Sequence, residues 1–190
     1  MSGDRRARFE ANALPYMRSV HCAALHLTRQ PEDARDLVQE TFLRAYRTFD
    51  SFRPGTNAKA WLLKILYSVF VNRYRKARRE PPVVPLEEVE AQFERLLARS
   101  GAEPAPWGWD SGPAPTAPEV EGALASLPAT YRDVVLLVDV HELTYEEAAA
   151  ALGCPVGTVR SRLFRARKLL FVALHDYAYK AGYMKEPPAR

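Results

Sequence analysis

Eight of the chain's fifteen prolines fall between residues 81 and 118: Pro81, Pro82, Pro85, Pro104, Pro106, Pro113, Pro115 and Pro118. A proline inside a helix costs about 3 kcal/mol and removes a backbone donor, so this stretch cannot be one continuous helix. It predicts a linker, interrupted by one short amphipathic helix over about Leu86 to Arg99. The 190 residues then divide into blocks of small-domain size at 1–80 and 119–183, with a tail at 184–190.

Charge follows the same partition. Residues 1–80 carry 16 Lys/Arg against 8 Asp/Glu, residues 81–118 carry 2 against 6, and residues 119–190 carry 9 against 9. The net of +4 conceals a basic block, an acidic join and a neutral block. Apolar residues at 47% and charged ones at 26% exclude a wholly disordered or collagen-like chain. No run approaches the roughly 18 uncharged apolar residues of a membrane span, and the first residues lack an apolar signal core, which predicts a cytoplasmic protein. Two cysteines, Cys22 and Cys154, provide neither a disulfide framework nor a four-cysteine zinc site.

In the first block, apolar residues recur at helical spacing through about 10–28, 31–50 and 58–79, predicting a small all-α bundle. In the helix opened by Pro31, Leu37, Val38, Thr41, Phe42, Ala45 and Phe49 share one side at about 100° per residue, which assigns that side to the core. Asp36, Gln39, Glu40, Leu43 and Arg47 face the other way. A leucine framed by acids and an amide suits a partner-binding patch, although single exposed leucines are common. After a Pro54-Gly55 turn comes a helix predicted over Ala58 to Arg79, aliphatic and aromatic at first. It ends in five cations among the seven residues 73–79. Some of those cations complement the helix dipole, but a basic tract interleaved with Tyr67 and Tyr74 also suits phosphate contact and base stacking.

The last block contains the sharpest motif. Leu124, Leu127 and Val134 to Val138 supply apolar faces on either side of Pro128. Thr144-Tyr145-Glu146-Glu147 has capping-box spacing, Gly153 stands where a helix can end at positive φ, and Pro155 suits the first turn of the next helix. Two helices joined by a short glycine-containing turn form a helix-turn-helix pattern. On the final helix Val159, Leu163, Ala166 and Leu170 make a core stripe. Ser161, Phe164, Arg165 and Lys168 point away from it, with Arg160 and Arg167 at one edge. Phe164 on a polar face fits apolar contact with a base edge in a major groove, and the arginines fit guanine or phosphate. A solvated basic face is the alternative.

These runs, Asp33 to Phe42 (DARDLVQETF), Thr48 to Phe52 (TFDSF) with Trp61-Leu62, Leu127-Pro128, Leu143 to Ala149 (LTYEEAA) and Gly153 to Arg167 (GCPVGTVRSRLFRAR), resemble the extracytoplasmic function (ECF) group of bacterial RNA polymerase sigma factors. The likeness covers nearly all of 10–80 and 119–175. It implies an all-α fold of two small helical domains joined by a flexible Pro-rich linker: a sigma-2 bundle at 1–80 and a sigma-4 helix-turn-helix domain at 119–183. The implied partners are core RNA polymerase, through its β′ clamp helices and β flap, and promoter DNA. Asp36, Gln39, Glu40 and Leu43 would meet the clamp helices. Phe52, Asn57, Trp61, Lys64, Ile65, Ser68, Asn72, Arg73 and Lys76 would meet the −10 element as single strand. Arg160, Ser161, Phe164, Arg165 and Lys168 would meet the −35 duplex. The acidic linker at 81–118 would thread the active-site and RNA-exit channels.

Many family members have Asn where this chain has Ser68, which shortens the reach toward a flipped base, while Asn72 one turn on fits the pattern. A finer resemblance over Phe52 to Leu62 (FRPGTNAKAWL) and Arg79-Glu80-Pro81 is to the sigma-R and sigma-H type, held by zinc-containing, redox-sensitive anti-sigma factors. It implies an anti-sigma partner of that kind in a stress response. The chain itself would carry no chemistry, cofactor or metal. Cys22 and His26, four apart beside His21, would offer an incomplete site on one helix, and no GxSxG, phosphate-binding loop or HExxH motif occurs. The rival reading is a stand-alone helix-turn-helix regulator of duplex operators, which leaves the first block's acidic patch unexplained. A nucleic-acid enzyme ranks behind both, for want of a carboxylate cluster.

Overall fold

A computed structural model describes residues 2–73, 86–100 and 118–181, and among these there is no strand. The residues form α1 (Ser2–Ala13), α2 (Met17–Thr28), α3 (Pro31–Arg47), α4 (Ala58–Arg73), α5 (Leu86–Ser100), α6 (Pro118–Ser126), α7 (Ala129–Val135), α8 (Tyr145–Leu152) and α9 (Val156–Lys180). Met1–Arg79 with Asp133–Arg160 form one compact unit, and Glu80–Arg132 with Ser161–Arg190 form the other. The end of the basic tract, including Lys76, most of the Pro-rich linker and the tail at 184–190 lie outside the described residues.

Within the first unit, α4 is the central element. Leu62, Leu63, Leu66, Tyr67, Val69 and Phe70 are all buried, so the helix is enclosed on several sides, with Lys64 and Ser68 left on the exposed one. Against it α2 buries Val20, Ala23, Ala24 and Leu27, and α3 buries Ala34, Leu37, Thr41 and Ala45. Two threonines enter this core because each hydroxyl is satisfied locally. Thr41 Oγ1 donates to the Leu37 carbonyl at 2.7 Å and Thr28 Oγ1 to that of Ala24 at 2.8 Å. From α1, Phe9 lies edge-on to Tyr46 and Phe49, with ring centroids 5.1 and 5.3 Å away.

Three boundaries differ from the sequence expectation. The helix expected over 10–28 is broken by a 3-10 turn at Leu14–Tyr16, where Pro15 supplies no backbone N–H. The helix expected to reach residue 50 stops at Arg47, and a second 3-10 turn at Phe49–Ser51 drives Phe49 into the core. Leu136–Val140 is a π-helical turn in which the His141 N–H donates to the Leu136 carbonyl at 2.9 Å. The extra residue of that turn swings His141 inward, where it is buried among α2 and α4 residues, and Glu142 then takes a left-handed conformation with φ 58°.

Other features agree with the sequence. The Thr144 hydroxyl accepts from the Glu147 N–H at 3.2 Å, and the Glu147 carboxylate accepts from the Thr144 N–H at 2.9 Å. Gly153 ends α8 at φ 65°. α9 buries Val159, Leu163 and Ala166 along one face.

Candidate polymerase and nucleic-acid interfaces

The outward face of α3 follows from its inward one. With Leu37, Thr41 and Ala45 buried, Asp36, Gln39 and Leu43 stand in solvent, and Leu43 is 48% exposed. Glu40 is half-buried, 4.0 Å from Arg44 one turn on. The result is a single apolar side chain flanked by acids, an amide and Arg47, a surface that suits a protein partner.

On α4, Trp61, Lys64, Ile65, Ser68 and Asn72 fall within about 100° of the helix circumference by spacing, with Asn57 just ahead of the first turn. Lys64, Ser68 and Asn72 are exposed, with Trp61 and Ile65 half-buried beside them. Arg73 is also exposed but lies off this stripe. Phe52 is not on the surface: its ring is buried 5.0 Å from Trp61 and 5.8 Å from Phe49, so it backs Trp61 and offers no face of its own. Asn57 is engaged at both ends of its amide. Its Oδ1 accepts from the Ala60 N–H at 3.1 Å, capping α4, and its Nδ2 donates to Glu147 at 2.8 Å. Sequence spacing gave no sign of Glu147 as a partner, because 90 positions separate the two residues.

Behind the same helix, the Tyr67 hydroxyl donates to the buried Asp133 carboxylate. His141 lies nearby with its ring centroid 6.1 Å from that of His26. Burial, and then the neighbouring charges of His26 and Lys59, push the His141 imidazole down to about 4, so it is neutral at pH 7. Among the described residues no group of three or more His, Cys, Asp or Glu side chains is placed to hold a metal, and Cys22 is exposed.

The helix-turn-helix is assembled from α8, the Gly153 turn and α9. On α9, Arg160, Ser161, Phe164 and Arg165 are exposed, and Phe164 at 60% is the most exposed large apolar side chain among the described residues. The Arg160 guanidinium lies 5.6 Å over the Tyr145 ring, which steadies it at the rim. Lys168 differs from its neighbours. Its side chain is only 16% exposed, and its ammonium is 3.3 Å from Glu90 on α5. The acidic partner on the linker helix was not legible from the pattern of α9.

Residues 14–80 match the family described as Sigma-70 region 2, and residues 118–170 match Sigma-70, region 4. The chain is 38% identical over 157 residues to the ECF RNA polymerase sigma factor EcfG of Rhodopseudomonas palustris (strain TIE-1), covering 83% of this chain and 80% of that one. Among solved structures it resembles the sigma factor RpoE in complex with the anti-sigma factor NepR from Bartonella quintana. That match has a TM-score of 0.64 at 30% identity and covers 88% of this chain and 97% of the other. It also resembles CnrH in complex with the cytosolic domain of CnrY, with a TM-score of 0.60 at 29% identity, covering 94% and 93%. No helix of the described residues is long and apolar enough to cross a membrane. With both sigma regions matched in order and the capped helix-turn-helix in place, the chain belongs to the ECF RNA polymerase sigma factors, whose function is promoter-specific initiation of transcription.

Proposed function

We propose that the chain works as a two-part promoter reader in the cytoplasm: residues 1–80 bind core polymerase and the melted −10 strand, and residues 119–183 bind the −35 duplex. Asp36, Gln39, Glu40 and Leu43 meet the β′ clamp helices. Trp61, Lys64, Ile65, Ser68 and Asn72, with Asn57 and Arg73, line the path of the unpaired strand. Lys76 extends that path, and Phe52 holds Trp61 in place. Arg160, Ser161, Phe164, Arg165 and Lys168 read the major groove, and the 119–183 domain also meets the β flap. The chain contributes specificity and the polymerase contributes the chemistry.

The observation that supports this most is Phe164, 60% exposed between Arg160 and Arg165 on the second helix of a capped helix-turn-helix. An exposed aromatic among cations has little to gain from water and much from a base edge. Anti-sigma control is part of the same proposal, supported by the NepR and CnrY partners of the two similar structures. The zinc-containing, redox-sensitive kind of inhibitor is supported only by the sequence likeness over residues 52–62 and 79–81, and a cognate inhibitor without a His/Cys zinc site would end it.

The test is gel filtration with core polymerase, followed by run-off transcription from a library randomised at −35 and −10. The expected outcome is a stable complex and enrichment of one −35/−10 pair. Failure to bind core, with duplex binding retained, would replace this reading by that of a stand-alone regulator.

A further inference from the structure

Within the second compact unit, the acidic linker helix α5 meets the recognition helix through Glu90 and Phe93. Phe93 of α5 is buried and meets Phe171 of α9 edge-on, with ring centroids 5.1 Å apart. Glu90, one turn before Phe93, pairs with Lys168 at 3.3 Å. The Lys168 ammonium sits between two rings, 5.2 Å from the centroid of Phe93 on α5 and 4.8 Å from that of Phe164 on its own helix. Phe164, Lys168 and Phe171 follow one another at four and three residues, so they share one face of α9. That face is continuous: its leading end is open at Phe164 and its trailing end is covered by α5.

The chemistry of α5 suits the position. It carries Glu87, Glu88, Glu90 and Glu94 against Arg95 and Arg99, a net of −2. Glu87, Glu88 and Glu94 are exposed. A carboxylate held against Lys168 occupies the ammonium that a backbone phosphate would otherwise take, and the remaining acids place negative charge along the approach of a duplex.

We propose that the Lys168–Phe171 face of α9 is a docking surface for an acidic amphipathic helix, and that α5 is its resident occupant, competing with the −35 duplex as an intramolecular mimic of its phosphates. This rests on the assignment of α9 to duplex recognition. Binding of the duplex then requires α5 to leave, which couples −35 recognition to release of the linker.

The competition is measurable with the full chain. A labelled duplex is selected by the wild-type chain from a randomised library, and its affinity is compared for wild type, Glu90→Gln, Phe93→Ala and the double variant. Glu87→Gln, which removes the same charge from an exposed position of the same helix, is the control. Loss of one partly buried ion pair and one aromatic contact predicts about fivefold tighter binding for the double variant. Glu87→Gln should change affinity much less than Glu90→Gln. Hydrogen exchange on the wild-type chain should show α5 amides losing protection when the duplex is added. Equal affinities for the double variant and the control, or α5 protection unchanged in the bound state, would overturn the proposal while leaving duplex recognition intact. If the library yields no bound duplex for any variant, the assignment of α9 itself fails and the proposal falls with it.

Discussion

Asn57 Nδ2 donates to Glu147 Oε1 at 2.8 Å, while Glu147 Oε2 accepts from the Thr144 N–H that it caps at 2.9 Å. One carboxylate thus completes the start of α8 and holds the residue that caps α4. Asn57→Asp keeps a good helix cap but sets a carboxylate against Glu147, so it should be less stable than the wild type by up to about 1 kcal/mol. Glu147→Gln in the same chain should restore part of the loss. Urea midpoints for the four combinations measure the coupling, which should shrink as salt is raised.

The Tyr67 hydroxyl serves the buried Asp133 carboxylate from 66 positions away. Tyr67→Phe removes that donor with almost no change in shape, and a hydrogen bond to a buried charged group is worth about 2 kcal/mol. The same substitution should cost much less in an Asp133→Asn background, where the group left behind is neutral. Comparing urea midpoints of the two pairs of proteins separates the charge from the loss of the hydroxyl itself.

His141 is held at about 4 in the folded chain against 6.5 when exposed, mainly by burial. Between those values the unfolded chain takes up a proton that the folded chain refuses. Its contribution to stability is therefore complete above about pH 6.5 and is lost as pH falls toward 4, by about 3 kcal/mol in all. His141→Leu should flatten the pH dependence of the urea midpoint across that window. A slope equal to that of the wild type would show that other groups carry it.

Much of this architecture was legible because local chemistry fixes it. Pro31, the Thr144 capping box, the Gly153 turn and the amphipathic linker helix each depend on residues within about four positions, which is the range over which spacing rules speak. The π turn at Leu136–Val140 was not legible, since an unbroken apolar run reads the same with or without an inserted residue. Nor were Asn57–Glu147, Tyr67–Asp133 and Glu90–Lys168, which join residues far apart in sequence. The residues of the candidate interfaces could be named, but not which of them the folded chain already holds.

Phe164 and Leu43 should separate function from stability. Both stand in solvent, so Phe164→Ala and Leu43→Asp should change the urea midpoint by no more than about 0.5 kcal/mol equivalent. Phe164→Ala should weaken binding to the selected −35 duplex by about tenfold or more. It should leave the complex with core polymerase intact in gel filtration. Leu43→Asp should do the reverse, abolishing the complex with core polymerase while duplex affinity is unchanged. A shared loss in either variant would place the two interfaces on one surface.

Ser68 occupies the middle of the exposed α4 stripe, between Lys64 and Asn72 at one turn on either side. A serine hydroxyl is one bond from Cβ, whereas an asparagine amide reaches further and presents a donor and an acceptor in a fixed plane, which is what recognition of an unpaired base edge uses. On the proposed −10 assignment, Asn72 is then the next amide along this stripe, and the base preference set at this turn should be relaxed. Ser68→Asn is expected to narrow the −10 preference in run-off transcription from the randomised library, with the −35 preference unaltered. Because Ser68 is exposed, the substitution should leave the urea midpoint within about 0.5 kcal/mol equivalent. An unchanged −10 profile in the variant would show that residue 68 does not face the base, and would move the reading position along α4 toward Asn72.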